Sequence, residues 1–254
     1  MNAYDNLDEF TDPPNYDIEE GDRSAPRIAL YCDLAKRFGG PVLEIAFGSG
    51  LVTVPVAAQG LDVTGVDLAR PMLEHARKKA EARGLNIHWV EADARSLDLR
   101  ASFQFIFITG NAFQAFLRRH DQEALLASVK RHLLRDGVFA FETRNPSGHD
   151  LNTHSKEEFD QSYPSVEGHQ VSVSSTQVYD PIAQIMYWTS YRRWNDGARN
   201  HQKETHIACR FTYPQELEAL LHYNGFRIDQ QFGNWDKEPL SASSPSIILV
   251  CKAS

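Results

Sequence analysis

The sequence of 254 residues contains few cysteines, no surplus of positive charge and no long apolar run. Its three cysteines lie far apart, without the spacing of a zinc site or a secreted disulfide framework, so we expect a reducing, cytoplasmic setting. The formal net charge is -8, and no basic stretch is long enough to neutralise a track of phosphates, which disfavours nucleic acid as a partner. No segment has the length and apolarity of a membrane span, and the acidic start does not resemble a signal peptide, so we expect no membrane partner.

What the sequence does contain is a regular alternation of strand and helix patterns over its first 146 residues. Strands are predicted at 42–46, 62–66, 87–90, 104–108 and 137–143. Helices are predicted at 26–38, 51–58, 71–83 and 121–134. This alternation is typical of a parallel sheet with helices on both faces. The sequence therefore predicts the α/β class.

The pattern changes after Pro146. Residues 147–168 are polar and irregular, and the alternating segments that follow are separated by turn residues, which indicates an antiparallel meander. These segments are predicted at 169–179, 183–194 and 201–212, before a helix at 214–223 and strands at 226–232 and 246–251. We therefore divide the chain into an extended or loosely helical N-terminal arm (1–24), a nucleotide-type domain (25–146 and 213–254) and an inserted β subdomain (147–212).

The most informative segment is the apolar strand at 42–46, which runs into a turn of small residues ending at Gly50. Such a turn lets a ligand approach the backbone at a helix start, where amide hydrogens are unpaired. Asp67 ends the next predicted strand, where a Rossmann-type site places a carboxylate on ribose hydroxyls. Together these two signals predict a nucleotide-type site; the alternative is a tight turn with an unrelated acid.

The type of nucleotide follows from two details. A dinucleotide fingerprint has a third glycine three residues after the second, but here Thr53 stands three residues after Gly50. Glu44 also places an acid inside the strand, which suits a cationic ligand better than a pyrophosphate.

These residues resemble the first motif of class I S-adenosylmethionine-dependent methyltransferases, an acid followed by three alternating glycines, which here reads Glu44, Ala46, Gly48 and Gly50. The resemblance implies a Rossmann-like, seven-stranded, mostly parallel sheet with an antiparallel last strand and S-adenosylmethionine as cofactor. It also implies in-line methyl transfer to an N or O nucleophile of a small molecule. The inserted antiparallel β-meander is similar to those of sugar and glycine-type N-methyltransferases, where it forms a lid or an oligomer contact, so we expect a monomer or a homodimer.

The resemblance also implies which residues hold the cofactor. Asp67 is expected to bind the ribose, Leu68 and Met72 to flank the adenine, and Asp93 to accept from the adenine amino group, although Met72 is equally suited to a helix core. Tyr16, with Tyr4 as a weaker candidate, is expected to fold over the cofactor from the arm. The full set is Tyr16, Glu44, Ala46, Gly48, Gly50, Asp67, Leu68, Met72, Asp93, Ala94, Thr109 and Gly110.

Four residues are candidates for the acceptor pocket. Asn111 and Phe113 follow the strand at 104–108, and Trp188 and Arg192 share one face of an inserted strand. For Phe113 a place in the core is an equal alternative, and an aromatic and arginine-rich face is also typical of a dimer interface.

No catalytic residue is assigned, because an acceptor amine that is already deprotonated needs only positioning and desolvation. An alcohol would be helped by a general base, for which four histidines in or near the insertion are weak candidates. They are His149, His154, His169 and His206. None has metal-ligand spacing, so we expect no metal.

Two other functions remain open at this point. An NAD(P)-dependent oxidoreductase would use the same strand, turn and acid, but the third glycine and a convincing catalytic pair are missing. A non-catalytic S-adenosylmethionine-binding protein would carry the same cofactor residues.

Overall fold

The computed structural model describes residues 6–148 and 150–254. Tyr4 and His149 therefore lie outside the described residues. The described helices are α1 Pro13–Glu20, α2 Ala25–Phe38, α3 Thr53–Ala57, α4 Arg70–Glu81, α5 Arg119–His132 and α6 Pro214–Tyr223. The described strands are β1 Val42–Ile45, β2 Val63–Asp67, β3 His88–Glu91, β4 Phe103–Ile108, β5 Leu133–Arg144, β6 His154–Pro164, β7 Gln170–Asp180, β8 Ile185–Asn195, β9 Asn200–Arg210, β10 Phe226–Phe232 and β11 Ser246–Ala253.

The main sheet has seven strands in the order β10-β11-β5-β4-β1-β2-β3. β11 runs antiparallel to both of its neighbours, whereas β1 to β5 are parallel to one another. β1 is buried along its whole length because helices cover both faces, with α5 and α6 on one side and α2 and α3 on the other. The predicted fold class and sheet are confirmed.

The second sheet is an antiparallel meander in the order β6-β7-β8-β9. Its last three strands agree with the predicted segments, but the prediction that 147–168 is irregular was wrong, since His154–Pro164 forms β6. β6 is an edge strand whose side chains are mostly exposed and polar, and backbone pairing with β7 holds it. It therefore lacks the apolar alternation by which a strand is recognised in a sequence.

The N-terminal arm is helical over Pro13–Glu20. Pro13 stands at the first helical position, which suits its fixed φ and missing N–H. α1 contacts α4 of the main domain and β6 of the second sheet, so the arm bridges the two. No helix in the described part of the chain is long and apolar enough to cross a membrane.

Candidate active site

A cavity of about 770 Å³ lies at the carboxyl ends of the parallel strands, where open α/β sheets bind their ligands. Loops after β1 to β4 form its floor, while the arm and the second sheet form its other walls. Ten of the twelve predicted cofactor residues line it: Tyr16, Ala46, Gly48, Asp67, Leu68, Met72, Asp93, Ala94, Thr109 and Gly110. Of the predicted acceptor residues, Asn111 and Trp188 line it.

The turn after β1 passes through left-handed backbone at Ala46 (φ 56°), Gly48 (φ 59°) and Gly50 (φ 76°). A Cβ at Gly48 would meet nothing within 4 Å, so this glycine leaves open space beside the cavity. A Cβ at Gly50 would lie 3.0 Å from the Cβ of Ala76 in α4. Gly50 was expected to contact the cofactor, but it does not line the cavity. Its missing side chain instead allows α4 to approach the turn.

Glu44 also differs from its expected position beside the ligand. Its side chain is completely buried and accepts hydrogen bonds from the hydroxyls of Thr53 (2.5 Å) and Thr109 (2.9 Å). Glu44 therefore ties the start of α3 to the end of β4 beneath the cavity. Burial raises the pKa of its carboxyl to about 8, against the two hydroxyl hydrogen bonds, which lower it.

Asp67, at the end of β2, keeps a carboxylate in the cavity wall. Its two oxygens accept the backbone N–H groups of Gly48 and Ala69, each at 2.7 Å. Burial raises its pKa, whereas these backbone hydrogen bonds act to lower it. Each carboxylate oxygen has further acceptor capacity, so Asp67 can accept hydroxyl groups from a ligand and hold the glycine turn together.

The far end of the cavity combines the apolar side chains of Leu68 and Met72 with a charged group formed by Asp93, Arg95 and Asp121. The side chain of Met72 is fully buried, while that of Leu68 is 51% exposed although it is large and apolar. Asp93 receives three hydrogen bonds from the Arg95 guanidinium, which holds the pKa of that carboxyl below its usual value. This end can accommodate a flat, apolar ring with a polar edge.

The loop after β4 is held by Glu142 of β5, which the sequence analysis did not identify. Glu142 is fully buried and accepts the Gly110 N–H (2.8 Å) and the Trp235 indole N–H (2.6 Å). Arg27 of α2 lies 3.8 Å from the same carboxylate and pairs with Glu20 of the arm at 2.8 Å. Burial raises the pKa of Glu142, and Arg27 is the largest influence that lowers it. An acid inside an apolar strand was the available signal, the same one that drew attention to Glu44.

The arm closes the cavity from the side of the glycine turn. Tyr16 lines the cavity and is buried strongly enough to raise the pKa of its hydroxyl. Asp17 accepts hydrogen bonds from the Ser49 hydroxyl and, at 2.6 Å, from the ammonium of Lys79, and it lies 2.9 Å from the His75 ring. These contacts fasten α1 to the glycine turn and to α4.

The acceptor candidates divide into two groups. The Trp188 indole N–H donates to Gln177 at 3.0 Å, and the Arg144 guanidinium lies 5.1 Å from the centroid of the Trp188 ring. Phe113 does not face the cavity, because its ring is 1% exposed and stacks on Phe141 in the core with centroids 4.5 Å apart. Arg192 is also absent from the wall, since its guanidinium is paired with carboxylates of the arm.

None of the histidines that the structure describes lines this cavity. His154 pairs with Glu158 of the second sheet and His206 with Asp8 of the arm, and His169 is the last residue of the loop before β7. Within the described ranges, no group of three His, Cys, Asp or Glu side chains is arranged to hold a metal ion.

Several buried polar atoms in the cavity wall lack a hydrogen-bond partner among the described residues. They are the Nε of Arg27, the Oδ1 of Asn111 and both amide atoms of Gln114. An unpaired buried polar group costs about 1–3 kcal/mol. A polar ligand could supply the missing hydrogen-bond partners of this wall, and the open space beside Gly48 leaves room for it.

Comparison with known proteins agrees with this geometry. Residues 42–137 match the family model described as a methyltransferase domain. The glycine/sarcosine N-methyltransferase of Halorhodospira halochloris is 27% identical over 206 residues, which cover 80% of this chain and 71% of that protein.

Solved structures share the fold. A methyltransferase from Clostridium acetobutylicum that depends on S-adenosylmethionine has a TM-score of 0.81 at 16% identity and covers 94% of this chain and 97% of its own. A sugar N-methyltransferase from Streptoalloteichus has a TM-score of 0.70 at 16% identity, covering 92% and 90%. The domain match and the methyltransferase relatives show that this chain is a methyltransferase that depends on S-adenosylmethionine, and its fold is shared with solved methyltransferases.

Proposed function

We propose that the enzyme methylates an amine nitrogen of a small molecule inside the cavity. The observation that carries this proposal is the absence of any described histidine from the cavity wall, together with the carboxylate of Asp160 on its second-sheet side. Glu9 and Glu20 also line the cavity, but they are paired with Arg192 and Arg27. Acidic side chains attract an amine in its cationic form. Once the amine has lost its proton to solvent, it can attack without a side-chain base, whereas an alcohol acceptor is helped by one.

The cofactor would supply a sulfonium methyl group. An amine lone pair of the acceptor bonds to that methyl carbon in line with the carbon–sulfur bond, whose electron pair leaves on the neutral thioether, and the resulting ammonium then loses a proton to solvent. The chain's part is to position and desolvate the two reactants. The volume of the cavity falls within the range of about 300–1,000 Å³ that is usual for small-molecule sites. This size favours a small acceptor enclosed by the second sheet.

We assign the cofactor's parts to the residues that line the cavity. Asp67 takes the ribose hydroxyls, Leu68 and Met72 take the adenine ring, and Asp93 and Ala94 lie at its polar edge. The turn through Ala46 and Gly48 binds the methionine part, and Thr109 and Gly110 lie beside the donor methyl group. Tyr16 covers the cofactor from the arm. Glu44 acts through the Thr53 and Thr109 hydroxyls, as a positioning residue.

We place the acceptor between the loop after β4 and the second sheet. Asn111 and Trp188 both line that part of the cavity, which supports their assignment to the acceptor. The 25–146 and 213–254 segments then form the cofactor domain, the inserted sheet and the arm form its cover, and the protein works as a monomer or homodimer. The three cysteines are free thiols, which supports a reducing, cytoplasmic setting.

The cofactor assignment is tested by calorimetric titration with S-adenosylhomocysteine. Asp67→Ala should weaken binding at least about tenfold, because charge-assisted hydrogen bonds to the ribose and the brace on the glycine turn are both lost. Asp62→Ala is the matched control, since Asp62 is an exposed acid just before the other end of the same strand. Equal affinities of the two variants would show that the ribose lies elsewhere.

The acceptor assignment is tested with paired compounds that differ in the nucleophile. Glycine, sarcosine and glucosamine are offered beside glycolate and glucose, and formation of S-adenosylhomocysteine and of methylated product is followed by mass spectrometry. We expect turnover of amines alone. Methylation of the hydroxyl compounds, with the amines unused, would overturn the choice of nitrogen.

A further inference from the structure

Gln114 presents a buried and unused primary amide to the acceptor side of the cavity. It lies in the turn Ala112–Ala115, which follows β4 and packs against β5 and against β9 of the second sheet. Its side chain is 1% exposed and lines the cavity. Its backbone N–H is paired with the carbonyl of Asn111, but among the described residues neither atom of its side-chain amide has a partner.

A second buried glutamine shows what a structural role looks like in this protein. Gln122 of α5 is also 1% exposed, and its amide donates to the buried hydroxyl of Thr212 at 2.9 Å. It does not line the cavity. Gln114 has the same burial without the hydrogen bond, so its amide lowers the stability of the ligand-free protein.

We propose that Gln114 is a specificity-determining residue that binds the acceptor through both atoms of its amide. This inference rests on the proposed function. The amide oxygen accepts an N–H of the acceptor amine, and the amide N–H₂ donates to an oxygen on the adjacent carbon. The last torsion of a glutamine side chain is soft, so the amide can turn either atom toward the cavity.

This arrangement selects a chemical class. The oxygen and nitrogen of the amide are bonded to one carbon, so they match an N–H donor and an oxygen acceptor carried by two neighbouring carbon atoms of the ligand. An α-amino carbonyl compound or a vicinal amino alcohol has this pattern, whereas a plain alkylamine has only the nitrogen. The nearby Oδ1 of Asn111, also buried and unpaired, adds a second acceptor for the amine.

The first test measures thermal unfolding of the ligand-free enzyme. Gln114→Met keeps the length of the side chain and removes the unpaired amide, so the midpoint should rise by about 2–4 °C. Gln122→Met is the control and should lower the midpoint, because it leaves Thr212 without its donor. A fall in the midpoint for Gln114→Met would assign Gln114 a structural role, such as a bond to a buried water, and would overturn the proposal.

The second test compares acceptors. Wild type should turn over trans-2-aminocyclohexanol with a kcat/KM about ten- to a hundredfold above that for cyclohexylamine, and Gln114→Met should abolish that preference while binding S-adenosylhomocysteine normally. Gln122→Met should keep it. If wild type uses no amine at all, including glycine and glucosamine, the proposed function fails. If it uses amines but Gln114→Met retains the preference, only the role of Gln114 fails.

Discussion

The guanidinium of Arg192, on β8 of the second sheet, donates to the carboxylate of Glu19 in α1 at 2.9 Å. It also reaches Glu9 at 2.5 Å, and the three side chains are only 12–15% exposed. Arg192 was predicted as an acceptor contact, but this pairing directs it to the arm. Together with the contacts of Asp17 on the other side, it holds the arm over the cavity from two directions.

Arg192→Ala should loosen the arm. It leaves two shielded carboxylates facing each other without their shared cation, which should cost about 2–3 kcal/mol of unfolding free energy. Amide hydrogen exchange should rise in residues 8–20, and affinity for S-adenosylhomocysteine should fall.

Arg193→Ala provides the matched control for this change. Arg193 is the next residue of β8, faces the other side of the sheet and pairs with the exposed Glu157. The Arg193→Ala variant should leave amide hydrogen exchange in the arm unchanged. Similar exchange patterns for the two variants would contradict the role given to Arg192.

The two glycines of the turn after β1 should respond differently to alanine. Gly50→Ala places a Cβ against Ala76 in left-handed backbone, so it should lower the free energy of unfolding by roughly 2–4 kcal/mol. Gly48→Ala should cost only about 1–2 kcal/mol, because its Cβ meets no atom, but it should weaken S-adenosylhomocysteine binding more. Urea unfolding and calorimetry measure both quantities, and the reverse order of affinity losses would contradict this division.

Glu44→Gln should change how stability depends on pH. The carboxyl has a pKa of about 8 in the folded protein against 4.5 as its ordinary value, so the folded state holds its proton more tightly. The stability that it contributes is therefore complete below about pH 4.5 and decreases as pH rises toward 8.

Urea unfolding of ligand-free wild type and Glu44→Gln between pH 5 and pH 8.5 measures this effect. The variant lacks the titrating group, so its stability relative to wild type should increase steadily over that interval. The comparison is needed because the pKa values of Asp67 and Glu142 are raised as well and contribute a slope to both proteins. Parallel curves would show that Glu44 does not titrate there.

Trp188→Ala should alter acceptor use more than cofactor affinity. Its ring lines the cavity from the second sheet and is braced by Gln177 and Arg144. We expect KM for the acceptor to rise about tenfold or more, with little change in S-adenosylhomocysteine binding. Tyr187→Ala, on the opposite face of β8, should change neither value, and a larger loss of cofactor affinity for Trp188→Ala would move this strand away from the acceptor.

Much of this structure follows from local patterns in the sequence. The alternation of strands and helices could be predicted because buried parallel strands are apolar runs separated by amphipathic helices, whereas the seven-stranded arrangement was implied by the resemblance to methyltransferases. Strand ends locate the carboxyl edge of the sheet, which is why Ala46, Gly48, Asp67 and Thr109 could be placed at one cavity. β6 escaped prediction because an exposed edge strand has no apolar periodicity.

The sequence by itself determined the fold class, the carboxyl edge where the cofactor residues gather and, through the motif after β1, the kind of cofactor. Only the tertiary structure decided which charged and aromatic side chains face the cavity. Glu44, Phe113 and Arg192 carry suitable chemistry but are used by a buried hydrogen-bond brace, a ring stack and an ion pair with the arm. Their partners are 9 to 183 residues away, and no local pattern encodes which of these contacts a side chain makes. Gln114 shows the converse, because its amide, unlike that of Gln122, lines the cavity and has no hydrogen-bond partner among the described residues.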